Sequence, residues 1–133
     1  MTKSKTYGFT LIESLIALAV VSIALVALLG LHLNGIKMAQ TADNIARAVS
    51  LAQTKLAEKT TLGCPQTGTE SGTTTIDRLP FHWKTIVSRV TNEQLQTAGI
   101  HKLRQVSTEV EWQQGNTRKR ICLSTWVAKR NWQ

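Results

Sequence analysis

Charge is nearly missing from the first quarter of this chain: between Tyr7 and Ile36 the sole charged side chain is Glu13. A stretch so bare cannot be a solvated surface. Helix breakers are scarce as well, with two prolines in 133 residues and, from Asn34 to Thr61, no proline and only Gly35, so nothing there forbids a long helix. Cysteine is limited to Cys64 and Cys122, which lack the close spacing and neighbouring histidines of a zinc site. In an oxidising compartment the two are expected to form a disulfide, worth roughly 4 kcal/mol in the chain-entropy model; otherwise they are two buried thiols. Phosphate loops, nucleophile elbows and clustered metal-binding acids are missing too. His32, His82 and His101 are far apart and have no acid or nucleophile frame around them. The sequence therefore points away from an enzyme, and no cofactor is expected.

What is present begins with an apolar run. Leu15 to Leu31 holds seventeen positions, of which only Ser22 is polar, and Phe9 to Ile12 extends it. That is long enough to cross a bilayer. The remaining hundred or so residues suffice for one modest core. An ordinary secretory signal is cut behind a small-residue motif after its apolar region, but the one match, Ala17-Leu18-Ala19, is embedded within the run. A plain signal anchor leaves Glu13 without a reason, since a carboxylate at mid-membrane costs about 2.5–3.5 kcal/mol. A cut after Gly8 supplies one, because Phe9 then carries an α-ammonium one helical turn from that acid.

The thirteen residues Gly8-Phe9-Thr10-Leu11-Ile12-Glu13-Ser14-Leu15-Ile16-Ala17-Leu18-Ala19-Val20 resemble the class III signal of type IV pilins and type II secretion pseudopilins. The resemblance implies that a prepilin peptidase cuts between Gly8 and Phe9 and methylates the Phe9 amine. It implies also that Glu13 neutralises the ammonium of an adjacent subunit during assembly. Residues 1–8 are then a leader, 9–33 a transmembrane helix, 34–62 an amphipathic helical spine and 63–133 a C-terminal head. The implied fold is α+β and pilin-like, with the long helix packed on a small antiparallel sheet. The implied location is the bacterial inner membrane, crossed once, with the head in the periplasm. Within the family, Leu15 to Val20, Ala52-Gln53-x-x-Leu56-Ala57-Glu58 and Val110-x-Trp112 look most like the I-type minor pseudopilin, whose partners are other minor pseudopilins in a tip complex. The two cysteines fit better with a minor pilin of a type IV pilus or DNA-uptake filament.

The rest of the chain reads as follows. Ile45, Val49, Ala52 and Leu56 form one stripe, with Arg47, Ser50, Gln53 and Lys55 mostly off it. Gly63 is a candidate cap and Pro65 forbids continuation. Gln66 to Thr75 has the composition of a loop or linker. Phe81, Trp83 and Thr85 alternate with polar residues, and Ile86 to Val90 continues in strand-prone composition. Thr91 to Gly99 reads as a turn or loop. Val106, Thr108, Val110 and Trp112 alternate clearly, and Arg118 to Val127 returns after a Gly115-Asn116 turn. A Cys64–Cys122 bridge would then staple helix end to sheet. Trp83 and Trp112 are expected in the core, Trp132 as an exposed contact. The 16 basic against 8 acidic residues are dispersed, which indicates solvated faces rather than a nucleic-acid site. Arg118-Lys119-Arg120 accordingly reads as a basic hairpin edge that discourages strand pairing, with single-stranded DNA binding as the alternative.

Overall fold

A computed structural model describes residues 8, 10–61, 63–91 and 103–128. It contains one helix, α1 (Leu11–Thr60), and four strands, β1 (Gly68–Ile76), β2 (Leu79–Val90), β3 (Leu103–Gln114) and β4 (Thr117–Ala128). The chain divides into two compact units, one reaching Gln40 and the other beginning at Thr41.

In the second unit the strands form a single antiparallel sheet in the order β1-β2-β3-β4. The α+β arrangement of an apolar N-terminal helix and a four-stranded antiparallel sheet is as expected. Ala48, Leu51 and Ala52 of α1 meet Phe81, Val110 and Trp112 in one core cluster. The Phe81 and Trp112 rings lie 5.8 Å apart at a 42° tilt. Farther along the same face, Thr85 and Thr108 share a buried hydrogen bond of 2.9 Å between their hydroxyls, which satisfies two polar groups that burial alone would penalise.

Two expectations need correction. The buried seam of α1 runs through Ala48, Leu51 and Ala52, whereas Ile45 is 41% exposed. Alanine leaves room for the large rings of the sheet, and the seam is rotated accordingly. Lys55, expected off the stripe, has its ammonium 4.5 Å from the centre of the Trp83 ring. Its aliphatic stem covers apolar surface while the charge reaches an acid, namely Glu58 at 3.0 Å. The second correction concerns Gln66 to Thr75, which is largely strand β1 rather than loop. Its inward position 72 is glycine because Trp83 lies across it, where a Cβ would sit 2.7 Å from the indole.

The ends of α1 follow from local chemistry. Gly63 adopts φ +93° and its N–H reaches the Thr60 carbonyl at 3.4 Å, so the expected glycine cap stands just past the helix. The β1–β2 connection is a two-residue turn in which Asp77 and Arg78 both have positive φ, 46° and 66°, as the twist of paired strands favours. The terminal hairpin joins β3 and β4 through Gly115-Asn116, with Gln114 paired to Thr117. Most of Thr91 to Gly99, together with Leu62, His101 and Trp132, lies outside the described residues.

Candidate functional site

The chemistry-bearing residues singled out from sequence gather at the start of α1. The Thr10 carbonyl accepts hydrogen bonds from the N–H groups of Glu13, at 3.1 Å, and Ser14, at 3.3 Å. Thr10 is therefore the N-cap and Glu13 stands at the third helical position, the spacing of a capping box, in which the acid returns toward the free N–H groups of the first turn. A carboxylate there also faces the positive end of the helix dipole. The Thr-x-x-Glu spacing thus offers Glu13 a local reason for its place, which sequence reasoning missed although the spacing was available to it. Gly8 is exposed, and a Cβ added to it would meet nothing within 4 Å. Phe9 lies outside the described residues.

Around this polar start, the helix surface is apolar on every side. From Leu11 to Met38, sixteen large hydrophobic side chains are exposed, each of which gains roughly 1.5–3 kcal/mol on full burial. None of its most apolar stretch is buried, and this helix is long and apolar enough to cross a membrane. The polar exception, Ser22, donates its hydroxyl to the Leu18 carbonyl at 2.7 Å, so its hydrogen-bonding demand is met inside the helix.

Elsewhere the polar groups fasten α1 to the sheet. Arg47 pairs with Asp43 at 2.9 Å and with Asp77 in the β1–β2 turn. The hydrogen bond that Arg47 donates to Asp77, opposed by some desolvation and aided by the fields of both acids, raises the pKa of the guanidinium. Lys59 pairs with Glu70 at 2.5 Å, and Gln114 donates to the Thr41 hydroxyl at 2.6 Å.

The structure does not join the two cysteines. Both are free thiols, Cys64 half-buried and Cys122 exposed. Strand alternation explains this: Ile121 and Leu123 pack toward the core, which turns Cys122 to the sheet face away from α1, where its sulfur meets the Ser107 hydroxyl at 3.2 Å. Arg118 and Arg120 on that face lie 3.9 Å from Glu111 and 3.7 Å from Glu109, so part of the basic charge of the hairpin is answered internally. Trp112 is 1% exposed and Trp83 is half-buried. His82 holds Thr73 through Nδ1 at 2.9 Å, and His32 is exposed on α1. Among the described residues, no group of three or more His, Cys, Asp or Glu side chains is placed to hold a metal ion.

No curated protein and no solved structure matches the chain. Residues 3–29, which take in Gly8, the capped start of α1 and Glu13, match the family model described as the prokaryotic N-terminal methylation motif.

Proposed function

We propose that this chain is a non-enzymatic, membrane-anchored, pilin-like subunit, made with a leader of residues 1–8, cut between Gly8 and Phe9 by a prepilin peptidase and methylated on the Phe9 amine. The observation that carries this reading is the coincidence of the methylation motif at residues 3–29 with a helix whose apolar surface is uncovered from Leu11 to Met38. Lipid can cover that surface before assembly, and like helices can cover it afterwards. In the finer reading the chain is a minor pseudopilin of the I type, joining other minor pseudopilins in the tip of a periplasmic filament that drives folded proteins out of the cell. The free α-ammonium of Phe9 and the carboxylate of Glu13 are its assembly pair, in one chain or between staggered neighbours. Residues 9–33 cross the inner membrane and the head from residue 63 faces the periplasm. The second reading is a minor pilin of a type IV pilus or DNA-uptake filament, favoured by the presence of two cysteines.

Mass spectrometry of the membrane-extracted protein tests the processing step. The expected mature chain starts at Phe9 and carries one extra methyl group; a chain that retains Met1, or starts elsewhere, refutes it. Expression beside either set of partner subunits separates the two finer readings, by which complex retains this chain.

A further inference from the structure

The β1–β2 and β3–β4 turns share one end of the second unit, because the four strands follow one another in order across the sheet. It is the end at which α1 enters the unit. Gln114, beside the β3–β4 turn, donates to the Thr41 hydroxyl, and Asp77 in the β1–β2 turn holds Arg47. This end is also basic. Arg118, Lys119 and Arg120 follow one turn and Arg78 stands in the other, all of them exposed. Alternation along β4 sends Arg118 and Arg120 to one face and Lys119 to the other, so the tip is cationic on both faces. Among the acids nearby, Asp43 and Asp77 share Arg47. Glu111 and Glu109 stand 3.9 Å from Arg118 and 3.7 Å from Arg120, longer than the roughly 2.7–2.9 Å of a charge-assisted hydrogen bond. The two arginine side chains stay 75% and 63% exposed, with donors to spare.

We propose that this basic end docks on the anionic phospholipid headgroups of the membrane that α1 crosses, which rests on the reading of α1 as an anchor. With a span ending at residue 33, only residues 34–41 lead from it into the second unit. Eight residues reach no more than about 28 Å even fully extended. The tether therefore keeps the basic end within reach of the bilayer surface. Each base near an anionic surface favours contact roughly fivefold, and the planar fork of arginine matches phosphate oxygens. Gly115 and Asn116 at the tip offer no apolar wedge, so the contact stops at the headgroups. A single-stranded nucleic acid fits less well, since it needs aromatic rings for stacking beside the charge. Trp112 is buried, and Trp126 lies eight positions along β4 from Arg118, about 27 Å away.

The experiment uses the full chain in lipid nanodiscs, with Cys64→Ser, Cys122→Ser and Asn116→Cys carrying a fluorophore at the tip. Discs of phosphatidylcholine alone are compared with discs that also contain phosphatidylglycerol, each with a trace of headgroup-quencher lipid. Strong quenching is expected only in the anionic discs, and it should vanish at molar salt, where charge is screened within about 3 Å. Replacing Arg118, Lys119 and Arg120 together by glutamine should lower the ratio of docked to free heads at least tenfold. The lipid comparison on the unchanged tip does not depend on that variant. A separate chain labelled through Ser22→Cys, read with an acyl-chain quencher, reports on the anchor. If that label lies outside lipid, the anchor reading fails and the docking falls with it. If it lies in lipid while the tip is quenched equally in both discs, the docking alone is overturned. A tip that responds to oligothymidylate but not to phosphatidylglycerol overturns it in favour of a nucleic-acid site.

Discussion

Two separable physical roles are proposed for a single residue, Glu13. As the third residue of a capped helix it serves the first turn, and glutamine at that position can do the same. As the counter-charge to the Phe9 ammonium it needs its negative charge, and glutamine cannot supply that. Glu13→Gln is therefore expected to be processed normally and to assemble as poorly as Glu13→Ala, read by incorporation into filaments. Assembly restored by glutamine would leave capping as the whole role. At the β1–β2 turn, Arg78 holds a positive φ that glycine adopts without a Cβ penalty. Arg78→Gly should raise stability by about 0.5–1 kcal/mol, seen as a higher midpoint in denaturant titration. The Thr85–Thr108 hydroxyl pair supplies a third test. Either single change to valine strands a buried hydroxyl and should cost about 1–3 kcal/mol, whereas the double change should cost less than the sum of the two.

At the level of elements, legibility follows how strongly a pattern declares itself. The β3–β4 hairpin is legible because Val106, Thr108, Val110 and Trp112 alternate with polar residues, and these four are the buried positions of β3. The apolar half of α1 is legible from composition alone. Strand β1 is not, since its inward positions include Gly72, which has no side chain because the Trp83 ring lies across it, and Thr74. The seam of α1 is legible only in part: Ala52 of the expected stripe is buried, but Ala48 and Leu51 join it there while Ile45 is exposed. Likewise, the exposure of Cys122 is a matter of strand parity, which a reading of pairs along the sequence does not reveal. The Arg47 link between α1 and the β1–β2 turn joins residues thirty apart and has no sequence signature. Because the pair is open to solvent on the Asp77 side, Arg47→Met should shift the denaturant midpoint only slightly. Its clearer effect is expected in faster amide exchange at Asp77 and Arg78.

For the whole molecule, the division after Gln40 separates a part whose exposed apolar surface demands lipid or other helices from a part with its own core. Residues 41–133 are therefore expected to remain soluble without detergent and to unfold in one cooperative transition, followed by the near-ultraviolet circular dichroism of the fragment's tryptophans. Both cysteines in that fragment should react with a disulfide reagent in the native state, Cys122 faster than Cys64, in keeping with their exposure. A fragment showing no free thiol would restore the bridge expected from sequence. The methylation motif, the capped helix start and the apolar surface all fall in the first forty residues, whereas the family model stops at residue 29. What distinguishes this chain from others bearing the same motif lies beyond residue 29.

The alanine seam also governs how this chain can drift. Ala48 and Ala52 are fully enclosed, so every possible replacement except glycine adds volume where Phe81 and Trp112 already fill the space. Ser50 and Gln53, which point to solvent, carry no such ceiling. A library randomised at these four codons and sorted for folded protein should retain wide variety at 50 and 53 while collapsing to the smallest side chains at 48 and 52.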